Sequence, residues 1–179
     1  MTPMSATRLA ALLAESPRAF NEHRAAHPDE PIVLAGAELS GCNLAGADLR
    51  GANLFEANLS WSILDGVNFD GADLRRSWLE GCRLARARFD DARMDHVNLR
   101  SCKLQGATFR RATLRWATFQ HADLRDAVFD EANLRRVVFC DADLTGATMR
   151  NATLAEADFR WATYQLDAIE SDLSGACIR

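Results

Sequence analysis

Leu39, Leu44, Leu49 and Leu54 recur at every fifth residue of the stretch GAELSGCNLAGADLRGANL, residues 36–54. An α-helix returns to the same face every 3.6 residues and a β-strand every 2. A five-residue period fits neither. The pattern keeps one phase from Leu34 to Ile169, giving 28 successive positions, here called centres. Between Leu39 and Tyr164 every centre is Leu, Phe, Met or Tyr, and the residue two before it is Ala, Cys, Ser or Val. The residue just before the centre is often Asn, Asp or Thr, and the two after it are mostly polar, charged or Gly. One large and one small inward residue in every five describe the wall of a narrow tube. The small one lets the backbone pass close, and the centre fills the axis.

The unit A-(D/N/T)-(L/F)-x-x, as in GADLRGANL and HADLRDAVF, resembles the pentapeptide-repeat family. The resemblance covers residues 32–169. It implies an all-β solenoid, a right-handed quadrilateral β-helix with four pentapeptides per 20-residue coil, here about seven to eight coils over residues 31–179. Stacking at the usual strand spacing of about 4.8 Å makes seven coils roughly 34 Å long. Grouped by 20, the centres form four walls, headed by Leu34, Leu39, Leu44 and Leu49. Seven of the nine phenylalanines then fall in two columns: Phe69, Phe89, Phe109 and Phe129 on wall four, Phe119, Phe139 and Phe159 on wall two. A bare five-residue period would not segregate them, so the columns support the 20-residue coil.

Residues 1–30 read as a helical cap. Ser5 is an N-cap candidate, Leu9, Leu12, Leu13 and Phe20 mark an apolar side, and Pro17 after Ser16 starts a second helix. Solenoid ends need such covers. At the other end the phase slips after Ile169, and Leu173 and Ile178 stand one residue early. A last coil without a cap would leave Tyr164, Ile169, Leu173 and Ile178 at an unpaired edge, which predicts a homodimer through that end.

The 25 acidic and 21 basic residues balance to a net charge of −4. That argues against a general nucleic-acid binder. No run of 18 apolar residues exists to span a bilayer. LAALLA near the start lacks the flanks of a signal peptide, so the expected compartment is the cytoplasm. Five cysteines contain no CxxC, and no Cys/His pair has zinc-ligand spacing. Cys42, Cys82 and Cys102 share one column on wall three with Ser62. Cys82 and Cys102 are close enough for a disulfide there, but read as small wall fillers in a reducing compartment. His23, His27, His96 and His121 form no triad pattern and read as exposed residues. No catalytic group, metal site or cofactor is expected.

Charge is unevenly spread. Residues 31–74 carry six acids and one base, residues 75–115 four acids and eleven bases, and residues 116–179 eleven acids and six bases. Wall one gathers Arg75, Arg76, Arg93, Arg115, Arg135 and Arg136 beside His96 and Trp116, a candidate partner-binding surface, since Arg and Trp are favoured anchors. Asp73 and Asp95 interrupt it, and a solvated face of Arg stems over the wall is the plainer reading. Wall four alternates Arg50, Asp70, Asp90, Arg110, Asp130, Arg150 and Glu170 and reads as weak surface pairs. Trp61, Trp78, Trp116 and Trp161 should all point outward. The resemblance implies a non-enzymatic protein-binding role. It includes DNA-mimicking members that bind DNA gyrase, the alternative partner here, although a basic waist departs from their acidic surface.

Overall fold

The computed structural model describes residues 4–164, 171, 173 and 175–178. Two helices, α1 (Ala6–Glu15) and α2 (Pro17–Ala26), precede the coils. Ser5 caps α1 by accepting from the Arg8 amide, and Ser16 caps α2 by accepting from the Ala19 amide, with Pro17 in the first turn. Both starts fall where the sequence places them. Leu9, Leu13 and Phe20 are buried with the first-coil centres Leu34, Leu39, Leu44 and Leu49, while Leu12 is only partly buried against them.

From Val33 to Thr163 the chain is a right-handed quadrilateral β-helix. Each flanking residue from Val33 to Asp143 pairs in parallel with the residue 20 further on, as in Val33 with Asn53, Glu38 with Asn58, Asn43 with Ile63 and Asp48 with Asn68. Backbone carbonyls account for four of the five amides of a repeat. The centre amide donates to the next coil (Leu34 to the Asn53 carbonyl, 2.7 Å), and so does the second turn residue (Gly36 to Phe55, 2.8 Å). The flanking amide donates to the previous coil (Asn53 to Ile32, 2.8 Å). The small residue closes a turn on the centre before it (Ala37 to Leu34, 3.1 Å).

The fifth amide, at the first turn residue, lies outside this ladder, and a buried or half-buried amide needs an acceptor. At most turns it finds one of two side-chain acceptors. The Asn, Asp or Thr two residues earlier can accept, as Asn53 does from Phe55, Asn68 from Asp70, Asp73 from Arg75 and Asn98 from Arg100. Otherwise an Asp one coil earlier accepts, as Asp65 does from Ala85, Asp90 from Arg110 and Asp95 from Arg115. This is the physical reason for the polar residue before the centre.

The second turn residue has φ between 55° and 74° at all 26 turns from Gly36 to Trp161, and 17 of these residues are not glycine. Positive φ at that position with the closing bond defines a type II turn. The left-handed region costs an ordinary residue about 1–2 kcal/mol, and the bonds of the turn and to the next coil offset that cost.

The axis is filled. Every centre from Leu34 to Phe159 is at most 2% exposed. The two phenylalanine columns stack with centroids 4.7–5.0 Å apart on wall four and 5.0–5.3 Å apart on wall two. They also meet each other edge-on, Phe109 to Phe119 at 5.6 Å and 86°, and Phe119 to Phe129 at 5.7 Å and 85°. Such pairs contribute about 0.5–1.5 kcal/mol each beyond burial.

The phase slip is built into the last coil. Asp158 pairs with Cys177, 19 residues on rather than 20, and the Phe159 amide donates to the Cys177 carbonyl at 2.7 Å. Gly175, two residues after Leu173, repeats the left-handed turn in the new phase. Ile169 lies outside the described residues.

Candidate functional site: the outer faces of the rod

Filling the axis moves any function to the outside. Wall one carries the arginine set named above, and each member meets a carboxylate. Asp73 takes Arg75 through both oxygens (2.6 and 2.8 Å) and Arg93 at 3.4 Å. Asp95 takes Arg115 through both oxygens (2.6 and 3.2 Å), Glu56 takes Arg76 at 3.5 Å, and Glu156 takes Arg135 at 2.9 Å and Arg136 at 2.8 Å. Six guanidinium groups therefore share four carboxylates. Asp73 and Asp95, which interrupt the patch in sequence, are its partners in space. The Arg75 guanidinium holds the Asp73 carboxyl below the usual carboxylate range, and the Arg136 and Arg135 guanidiniums do the same for Glu156.

The second turn residues of wall one make a continuous column: Glu56, Arg76, His96, Trp116, Arg136, Glu156. His96 and Trp116 stack at 4.9 Å with their planes 2° apart, and the Arg115 and Arg136 guanidiniums lie 5.6 and 5.7 Å from the indole centre. Trp116 remains 41% exposed between these neighbours. The expected patch is thus one connected ridge with a rigid aromatic step and largely matched charge.

On wall four the alternation is not a simple ladder of ion pairs. Arg110 lies 3.8 Å from Asp90, but Arg50 pairs with Asp48, and Asp70, Asp90 and Asp130 accept backbone amides from the coil above. They thus serve the fifth amide of the repeat, and Asp70 also pairs with Arg88 at 2.6 Å. Glu170 lies outside the described residues.

Wall two carries the barest tryptophans, Trp61, Trp78 and Trp161. Trp61 covers Gly81 of the next coil, and the Arg160 guanidinium sits 5.5 Å from the Trp161 ring. On wall three, Cys82 and Cys102 are buried free thiols. Each donates to a carbonyl 23 residues back (Leu59 at 3.0 Å, Leu79 at 2.9 Å), the bond Ser62 makes to Leu39 at 2.8 Å. Burial, with Cys82 beside it, pushes the Cys102 thiol well above its ordinary range. That suits a wall filler rather than a reactive group.

At the cap end, α2 seals the first coil with side chains. Asn21 donates to the Gly46 carbonyl (3.0 Å) and accepts from the Asp48 amide (2.8 Å), while Arg24 donates to the Asp48 carbonyl (3.0 Å). His23 and His27 belong to this cap and are half-buried, not exposed. At the opposite end Tyr164 and Leu173 are partly buried and Ile178 is 49% exposed.

Pentapeptide-repeat models match residues 33–71, 62–129 and 132–163, the middle segment as a pentapeptide repeat region and the outer two as pentapeptide repeats in eight copies. The chain belongs to the pentapeptide-repeat family. Among solved structures it is similar to the pentapeptide repeat protein Rfr23 from the cyanobacterium Cyanothece 51142, at 25% identity and a TM-score of 0.54, over 65% of this chain and 90% of that one. It is also similar in fold to a trypsin-treated variant of QnrB1, a plasmid-mediated fluoroquinolone resistance protein, at 21% identity and a TM-score of 0.55, over 82% of this chain and 89% of that one. No curated protein sequence matches the chain. Among the described residues no helix is long and apolar enough to cross a membrane.

Proposed function

We propose that this protein is a non-enzymatic scaffold that binds another protein along the side of its rod. The observation that carries this reading is the wall-one ridge, where Trp116 is held between His96 and the Arg136 guanidinium and stays partly open to solvent. A stacked aromatic with paired arginines around it is already ordered, so a partner would lose little side-chain freedom on docking. Matched charge on the ridge favours a protein surface over a nucleic-acid backbone, which needs unpaired cations. The test is capture of partners by the wild-type protein and by Trp116→Ala. A partner held by the first and lost by the second, with circular dichroism unchanged, supports the ridge as the binding surface.

The alternative partner is DNA gyrase, to which this rod would present itself as a DNA mimic. The likeness in fold to QnrB1 favours it, and the excess of bases over residues 75–115 opposes it. Supercoiling by purified gyrase separates the two. Little or no effect is expected, and strong inhibition at sub-micromolar protein would promote the mimic. The rod also dimerises, in this reading, through the coil end bearing Tyr164, Leu173 and Ile178.

A further inference from the structure

α2 ends in a cluster that the repeat does not require. His23 and His27, one helical turn apart, stack with ring centres 4.3 Å apart and planes 26° apart. Glu30 folds back from the linker, bringing Oε2 within 3.0 Å of His23 Nε2. The candidate ligand atoms of the three residues all lie within 4.8 Å of one another. In a tetrahedral centre with bonds of about 2.1 Å the ligand atoms stand about 3.4 Å apart, so small side-chain rotations close the set.

The surroundings orient these groups. His27 Nδ1 lies 2.9 Å from the His23 carbonyl oxygen. A carbonyl only accepts, so Nδ1 carries a proton, and in the neutral ring Nε2 is the nitrogen with the lone pair. Metal-bound imidazoles are commonly held this way, by a bond from the opposite ring nitrogen. The other Glu30 oxygen, Oε1, accepts from the Met4 amide. The His23 and Glu30 side chains are only 19% and 14% exposed. Met4, Ser5, Arg8, Pro28 and Pro31 line an open pocket beside them, leaving room for a water as fourth ligand.

We propose that His23, His27 and Glu30 bind one divalent transition-metal ion of the zinc type, ligated by one nitrogen of each imidazole and a Glu30 oxygen. Two imidazoles and one carboxylate suit zinc, cobalt, nickel or copper and not calcium or magnesium. The ion ties the end of α2 to the linker that leads into the first coil, and so fastens the cap to the rod.

Cobalt(II) titration of the full chain tests this. One equivalent should give the visible bands of tetrahedral cobalt without a thiolate charge-transfer band, zinc should displace it, and zinc should raise the unfolding midpoint. His27→Ala and Glu30→Gln should each weaken binding at least tenfold, and His121→Ala should leave it unchanged. Glu30→Gln keeps the size of the side chain and decides the matter if His27→Ala does not fold. Absence of tetrahedral cobalt at micromolar protein, a thiolate band, or undiminished binding by Glu30→Gln would each overturn the site.

Discussion

The indole of Trp61 lies across Gly81 one coil above, so that a Cβ on Gly81 would meet the ring at 2.3 Å. Gly81 also has φ +69°. Gly81→Ala therefore carries two costs, the left-handed backbone and displacement of the indole. Gly66, with φ +66° and open space around it, carries only the first. Gly66→Ala should destabilise by about 1 kcal/mol. Gly81→Ala should cost at least as much and also shift tryptophan emission towards that of a free indole, as read by urea melts and fluorescence.

Phe109 stacks between Phe89 and Phe129 and meets Phe119 edge-on. Phe109→Ala would leave a void on the axis that the stacked coils cannot collapse, at about 3–5 kcal/mol. Phe109→Leu restores the commoner centre and should cost clearly less. Leu84→Asp places an unpaired charge on the axis and should abolish folding. A normal melt for that variant would contradict the architecture.

Acid should weaken the fold in a defined window. The Arg160 guanidinium, with the Arg160 amide and Cys140, pulls the Asp158 carboxyl down to about 2, and Asp48, Asp73 and Asp123 shift in the same direction beside Arg50, Arg75 and Arg125. A lowered folded-state pKa means stability present above the unfolded value, near 4, and lost as pH falls towards about 2. Melting temperature should fall through that interval, and Asp158→Asn should flatten the fall.

Asn21→Ala removes the side chain that pairs with the Gly46 carbonyl and the Asp48 amide. Water can reach this edge, so losing the two bonds costs about 0.5–1.5 kcal/mol each. Hydrogen exchange should speed up at first-coil amides and leave the phenylalanine coils unchanged.

Light scattering tests the coil-end dimer. The wild-type chain of 19.8 kDa should scatter as a pair at high concentration, and Ile178→Glu should scatter as a monomer. A dimer that survives Ile178→Glu would move the contact to the Trp61 and Trp78 side of wall two.

Much of the fold can be read from the chain because inward positions repeat without interruption. The period, the two phenylalanine columns, the Ser5 and Ser16 caps and the slip that pairs Asp158 with Cys177 all follow from residue type and spacing. The surface was less legible. Asp95 looks like an interruption among arginines until the coil height places it under Arg115. The left-handed residues escape notice because Trp61, Arg76 and Glu131 have no local preference for that conformation, and the bonds to neighbouring coils impose it. Glu30 lies beyond the helix that carries His23 and His27, so helical spacing alone does not join the three.

The five-way division of amides has an evolutionary consequence. Neighbours along the chain face different directions, whereas residues 20 apart touch, as Asp91 does Arg111 and His96 does Trp116. Compensating substitutions among relatives should therefore cluster at separations of 20, and of 18 where a turn Asp reaches a flanking Arg, as Asp65 does Arg83. By the same geometry, a duplication or excision of 20 residues leaves every vertical partnership formed anew by an equivalent one, so such chains can change length by whole coils while the rest of the rod is undisturbed.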